Sequence, residues 1–310
     1  HSPDVRVVPF GRGPDGPLVL GTVRPMELIV RVPGSCGEIM QGSWQGEPFL
    51  VTCPIDRYST VTIRPGTGQL LGGGTKAETA FALAKTYCRA ANLAYDFILT
   101  SALPQGKGMA SSSADVCAVL AAVGLVSGRQ LSEQEIGRLA ASIEPTDGIF
   151  CRGLAVINPD TGIIKTVLGP VPKLSIAVFD AGGTVDTVAF HERGRRGLSD
   201  SKAIEAGMAL LQQPLTPERV GKAATCSALA NQVLLEKPNF PAFVKAAFEK
   251  PGVVGVNTAH SGTVAGVFFT EGEGLDVEEG LVRPLAAAFP GWTYVDTVHL
   301  QEGGIFMERR

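Results

Sequence analysis

The sequence predicts an α+β chain of two domains, each built on a mixed sheet with helices on one face. Three observations carry that prediction. The chain has 310 residues, enough that a split into two hydrophobic cores is favoured over one. Segments alternating with period two and segments with apolar residues at helical spacing are interspersed along it. A Gly169-Pro170-Val171-Pro172 stretch between two strand-like segments marks a boundary near the middle. The expected domains are residues 26–170 and 171–310. Residues 1–25 are rich in Gly, Pro and Arg and start His1-Ser2, so they read as an extension or the remnant of a tag.

The elements follow in order. Glu27–Val32 alternates and is β-branched, then meets Pro33-Gly34, so a strand ending in a loop is expected. Tyr58–Arg64 is a second strand, Thr67–Thr75 a glycine-rich loop and Lys76–Ala91 a helix. Tyr95–Ser101 is a strand that leads through a Gly-Ser loop into Ala114–Val126, a helix so apolar that it must be buried. A helix over Ser132–Glu144 opens with Ser132 and Glu135 in a capping box and is stopped by Pro145. Strands are expected at Leu154–Ile157, Ile163–Val167 and Leu174–Phe179, and helices at Ser199–Gln213, Thr216–Leu235, Pro241–Glu249 and Val277–Phe289. Thr216 and Pro217 give the second of those helices an N-cap and an N1 proline. Val253–Asn257, Thr263–Thr270 and Trp292–Leu300 complete the strands.

Composition narrows the function. A net charge of −3 leaves no electrostatic footprint for nucleic acid. No run reaches the roughly 18 apolar residues of a membrane span, and no secretory leader is recognisable. The six cysteines form no CxxC pair and have no histidine at zinc-ligand spacing, so reduced thiols in a cytoplasmic protein are expected.

The most informative stretch is Pro104-Gln105-Gly106-Lys107-Gly108-Met109-Ala110-Ser111-Ser112-Ser113. A strand delivers it into a helix N-terminus, where unpaired amides and the positive end of the helix dipole form an anion site suited to a triphosphate. Gly106 and Gly108 allow close backbone approach, Lys107 adds positive charge, and three hydroxyls are available to phosphate or magnesium. No Walker A spacing is present; Gly72-Gly73-Gly74-Thr75-Lys76 imitates only its end and reads as a flexible loop before a helix. Glu144 and Asp147 then sit three residues apart at a helix end, where a carboxylate opposes the dipole. Magnesium takes hard oxygen ligands, and phosphoryl transfer needs a group to orient or deprotonate the acceptor. Glu144 as metal ligand and Asp147 as base meet those needs.

Leu103–Ala114 resembles the second signature of the GHMP kinases, with Met109 and Ala110 where the family pattern has Leu and Gly. By that resemblance Ser112 is the magnesium-binding serine, with Ser111 and Ser113 left open by the triple repeat, and Glu144 is its metal partner. Pro33-Gly34-Ser35-Cys36-Gly37-Glu38 resembles the first signature, which faces the acceptor; Ser35 and Glu38 are the candidate contacts, and Cys36 reads as a packed small residue. Ala259-His260-Ser261-Gly262-Thr263 matches the placement of the third signature. Phe179-Asp180-Ala181-Gly182-Gly183-Thr184-Val185-Asp186 offers Asp180 or Asp186 to an α-ammonium group, with a capped turn as the plain alternative.

Together these motifs resemble the L-threonine kinases of cobalamin synthesis, a GHMP branch. The resemblance implies an N-terminal domain like ribosomal protein S5 domain 2, a ferredoxin-like C-terminal domain, ATP and magnesium as cofactors, and L-threonine as acceptor. O-phospho-L-threonine would serve the aminopropanol linker of the cobamide. Homoserine is the nearest competing acceptor, a regulator that binds nucleotide without turnover is the competing class, and a homodimer is left open.

Overall fold

The computed structural model describes residues 27–183, 200–234, 236–259 and 261–310. The expected extension at 1–25 and two candidate site residues, Asp186 and His260, lie outside the described residues.

The first sheet is built on a long hairpin of β1 (Leu28–Trp44) and β2 (Glu47–Pro65). Its two-residue turn, Gln45-Gly46, has both residues at positive φ, 53° and 79°, the backbone twist that matches a hairpin. β2 also pairs with β4 (Tyr95–Ser101), which carries the short parallel β3 (Leu70–Leu71). The start of β2 pairs with β5 (Leu154–Ile157), which pairs with β6 (Ile164–Gly169). The last strand of the chain, β11 (Phe306–Arg309), returns to pair with β1.

The expected end of the first strand at Pro33-Gly34 is corrected here. β1 continues to Trp44, with register shifts between Pro33 and Ser35, Ser35 and Glu38, and Glu38 and Met40. Pro33 offers no ladder donor and Gly37 takes φ 59°, so the chain bulges within the sheet instead of leaving it.

Three helices cover this sheet: α1 (Thr75–Tyr87), α2 (Ser111–Val126) and α3 (Glu133–Ile143). α2 packs on β1, β2 and β4 with one side and on α1 and α3 with the other. Its run from Val116 to Val123 is buried throughout, as the all-round apolar sequence requires. α3 opens with the expected capping box: Ser132 Oγ accepts from the Glu135 amide at 3.1 Å, and the Glu135 carboxylate accepts from the Ser132 amide at 2.9 Å.

The second sheet is antiparallel in the order β10-β7-β9-β8, with β7 at Ser175–Asp180, β8 at Val253–Thr258, β9 at Val264–Phe269 and β10 at Thr293–His299. Its helices are α4 (Ser201–Leu211), α5 (Pro217–Ala230), α6 (Phe240–Phe248) and α7 (Arg283–Ala288). The helix expected over Val277–Phe289 divides into a π-helical turn at Glu278–Val282 followed by α7, with Pro284 at the junction. α5 packs on both β8 and β1. One buried cluster therefore runs through both sheets, including Val30, Val32, Ala223, Ile176 and Phe268. An aromatic cluster of Phe179, Phe240, Phe243, Phe269 and Trp292 fills the far side of the second sheet. No helix among the described residues is long and apolar enough to cross a membrane.

α2 begins at a left-handed residue that is not glycine: its N-cap, Ala110, has φ 55° and ψ 30°. An L-side chain disfavours that region by roughly 1–2 kcal/mol, and glycine gives back about 0.4–1 kcal/mol through the unfolded chain. Ala110→Gly is expected to raise the unfolding free energy by about 0.5–1 kcal/mol in urea titrations. A fall in stability would show that the turn carries no strain.

Candidate active site

Three loops that are distant in sequence meet at the N-terminus of α2, and backbone contacts hold them. The Ser35 amide donates to the Met109 carbonyl at 3.0 Å and the Gly37 amide to the Gly108 carbonyl at 3.1 Å. From the second sheet, the Thr263 and Val264 amides both donate to the Lys107 carbonyl, at 3.0 and 3.2 Å. Gly108 and Gly262 touch backbone to backbone: a Cβ on Gly262 would lie 2.3 Å from Gly108 Cα, and one on Gly108 would lie 2.2 Å from Ala259 Cβ. Only glycine fits at either position. Asn257 locks the assembly from below. Its buried side-chain amide donates to the carbonyls of Cys36 and Glu38 at 2.7 and 3.1 Å, and its oxygen accepts from the Gly266 amide at 2.9 Å.

The loops enclose a cleft of about 620 Å³, counting its open mouth. Gly106 and Gly108–Ser113 form one wall, Glu144–Asp147 another, and Glu38, Leu50, Lys76 and Ser261 complete the lining. Ala110 supplies no side-chain cap to α2, so the first-turn amides of Ser111, Ser112 and Ser113 are left to a ligand.

Two acids descend from the end of α3 to this turn. Glu144 is the C-cap of α3 in extended conformation, which swings its carboxylate from an unfavourable helix end to the favourable N-terminus of α2. Ser112 Oγ donates to Glu144 Oε1 at 2.5 Å, and the Lys76 ammonium pairs with Glu144 Oε2. Ser113 Oγ donates to Asp147 Oδ2 at 3.0 Å and accepts from the Asp147 amide at 3.3 Å. Lost hydration, then the Glu38 carboxylate, push the Asp147 pKa up to about 7; the Ser113 hydroxyl opposes this and Glu144 adds to it.

The other candidates divide. Glu38 is buried and lines the cleft, and Ser261 lines it from the third loop. Ser35 and Gly262 contribute through their backbones, Thr263 through its backbone and its hydroxyl, and Pro104 precedes the lining. Lys107 points away from the cleft wall: its ammonium donates to the Gly183 carbonyl at 2.6 Å and pairs with Asp180 at 3.0 Å. Asp180 also accepts from Thr263 Oγ1 at 2.6 Å and the Gly182 amide at 2.8 Å. Burial would raise the Asp180 pKa, but these three partners outweigh it and hold the carboxyl below its usual range. Cys36 is fully buried, and burial pushes its thiol up to about 12, so it packs as a small hydrophobe.

Three residues escaped the sequence reading: Asn257, Lys76 and Lys237. Lys76 had a local signal, since a cation in the first turn of a helix opposes the dipole just as Glu144 does at a helix end. Lys237 is buried at 4 % exposure and donates to the Ala259 carbonyl at 2.6 Å. Burial lowers its pKa to about 8, with Glu38 opposing.

The family model described as GHMP kinases N terminal domain matches residues 71–152, a span that includes α1, the Gly106–Ser113 loop and Asp147. The L-threonine kinase of Citrobacter freundii is 33 % identical over 251 residues, covering 77 % of this chain and 85 % of that protein. The chain belongs to the GHMP kinases. A second relative, the L-threonine kinase of Salmonella typhimurium strain LT2, is 32 % identical over 248 residues, covering 77 % of this chain and 82 % of its own. Among solved structures, a mevalonate kinase aligns with a TM-score of 0.67 at 13 % identity, over 89 % of this chain and 99 % of that one. At that identity the likeness is one of fold, and it places this GHMP kinase in the expected two-sheet α+β architecture.

A carboxyl whose folded pKa is raised binds a proton that the unfolded chain has released, so stability falls as pH rises through that window. In metal-free buffer the Tm of the wild-type protein relative to that of Asp147→Asn is expected to fall between about pH 4 and 7. Parallel curves for the two proteins would remove the perturbed carboxyl.

Proposed function

We propose that the chain transfers the γ-phosphoryl group of ATP to the hydroxyl of L-threonine, giving O-phospho-L-threonine and ADP. One observation carries the reading: the Ser112–Glu144 pair and Asp147 share one cleft at the first turn of α2. The relatives named L-threonine kinase support the choice of acceptor.

The first-turn amides and the Gly106–Ser113 backbone bind the triphosphate, and the α2 dipole favours its charge. Ser112 and Glu144 fit magnesium: both offer hard oxygens, and Glu144 already holds a cation, the Lys76 ammonium. Among the described residues no cluster of three or more His, Cys, Asp or Glu side chains could hold a metal, so the remaining ligands would be phosphate oxygens and water. When bound, magnesium neutralises charge on the phosphates. Asp147 accepts the proton of the acceptor hydroxyl; a carboxylate with a pKa near the working pH suits that task. Glu38 faces the acceptor's ammonium group, and Ser261 closes the third side. Asp186 and His260 remain candidates for the same acceptor. Six free cysteines, four of them buried, fit a cytoplasmic location. Delivery of the product to cobamide synthesis belongs to the same proposal and rests on the motif resemblance.

An acceptor screen tests it. ADP release with L-threonine, L-serine, homoserine and pantoate is expected to give the highest kcat/KM for threonine, with phosphothreonine seen by phosphorus NMR. A preference for homoserine would sink the acceptor assignment, and no turnover with any of them would sink the kinase. Glu144→Ala is expected to lower kcat by about 10²–10³, and Asp147→Asn by about 10²–10⁴. Wild-type kcat/KM should climb with pH through about 7 as Asp147 loses its proton.

A further inference from the structure

We propose that Lys76 works in two positions: it neutralises Glu144 while the cleft lacks nucleotide, and it moves to the triphosphate when metal-bound ATP arrives. The inference rests on the reading of the cleft as an ATP site.

The oxygens of Glu144 are divided between two partners. Oε1 takes the Ser112 hydroxyl at 2.5 Å, and Oε2 takes the Lys76 ammonium. The ammonium thus stands on the carboxylate assigned to the metal. The two partners differ in freedom: the Glu144 side chain is 8 % exposed and that of Lys76 is 47 % exposed. The carboxylate is fixed by α3 and Ser112, whereas the lysine reaches it from the rim on a flexible four-carbon stem.

Nothing local explains a cation at this position. Lys76 lies in the first turn of α1, after Gly72-Gly73-Gly74, and the Gly74 N-cap contributes no side-chain bond. That turn is where a helix disfavours positive charge, and an ion pair whose ammonium is half exposed gives little stability in return. A second cation on Glu144 would repel the ammonium. The triphosphate on the α2 turn, in the same cleft, offers it charged oxygen acceptors that form short, strong hydrogen bonds.

The alternative is a permanent ion pair that only holds α1 to the end of α3. Opposite responses in two binding measurements separate the two roles. The full chain, Lys76→Met and Lys76→Arg would each be titrated with a fluorescent ATP analogue plus magnesium, and separately with manganese alone. Loss of a charge-assisted phosphate contact is expected to weaken nucleotide binding of Lys76→Met about tenfold or more. With the competing ammonium gone, manganese alone should bind several-fold tighter. Lys76→Arg should stay near wild type in both. Unchanged nucleotide affinity in Lys76→Met, or a loss of both affinities together, would overturn the two-position role. Failure of the wild-type protein to bind nucleotide would instead overturn the ATP site on which the inference rests.

Discussion

The contact between Gly108 and Gly262 is the constraint on which the site depends. Neither residue has room for a Cβ, and both belong to loops that would otherwise be independent, one feeding α2 and one joining β8 to β9. Because the two backbones touch, the carbonyl of Lys107 can receive two amides from the third loop. The Gly108 and Met109 carbonyls, on the opposite edge, receive two from the bulged part of β1. Each such bond contributes only about 1 kcal/mol net, but together they tie both sheets to one turn. The positions of Glu38, Ser261 and the α2 amides around the cleft then follow from the backbone alone, and a backbone is a stiffer support than side chains on mobile loops.

Charge explains what that support is for. Glu38, Glu144 and Asp147 line one cleft, an arrangement that costs energy in a protein with no ligand, because like charges in low dielectric repel. The chain answers the cost piecemeal. Lys76 and a serine hydroxyl take Glu144, Lys237 lies close enough for its pKa to feel Glu38, and Asp147 holds a proton up to about pH 7. Each compensation is partial, and on the proposed reading the cleft is left ready for incoming cations: a metal, and the ammonium of an amino acid. Lys107, by contrast, is fully engaged by Asp180 and the Gly183 carbonyl, and its charge serves the join between the phosphate loop and the end of β7.

How much of this was legible in the sequence depends on how local each feature is. The strand–loop–helix run into α2 was readable because strand, glycines, serines and apolar helix are contiguous. The capping box of α3 and the Thr216-Pro217 start of α5 were readable for the same reason. The path of β1 past Pro33 was not, since proline and glycine end most strands, and what keeps the bulged segment in place is pairing with residues 47–54 of β2 together with bonds to Asn257 and the Gly108 and Met109 carbonyls. The final strand β11 depends wholly on its partner β1, 277 residues away at the Arg31–Glu308 pair. Asp180 was read, with Asp186, as a candidate ammonium acceptor or as the cap of a turn, and it does accept from the Gly182 amide. Two of its partners, Lys107 and Thr263, come from other loops, and no spacing rule announces them.

The proton on Asp147 links these observations to catalysis. Its pKa is raised first by lost hydration and next by Glu38, with Glu144 adding to it. Of the two, Glu38 is the one that the proposed acceptor would neutralise with its ammonium group, since the Lys76 ammonium already stands on Glu144. Placing positive charge beside a carboxylate lowers the pKa of its neighbours, so on this reading an acceptor ammonium on Glu38 favours the ionised Asp147, and a cleft without it favours the protonated form. The base would then be readied by the acceptor it serves, and a site without acceptor would hold a carboxylic acid where the reaction needs a carboxylate.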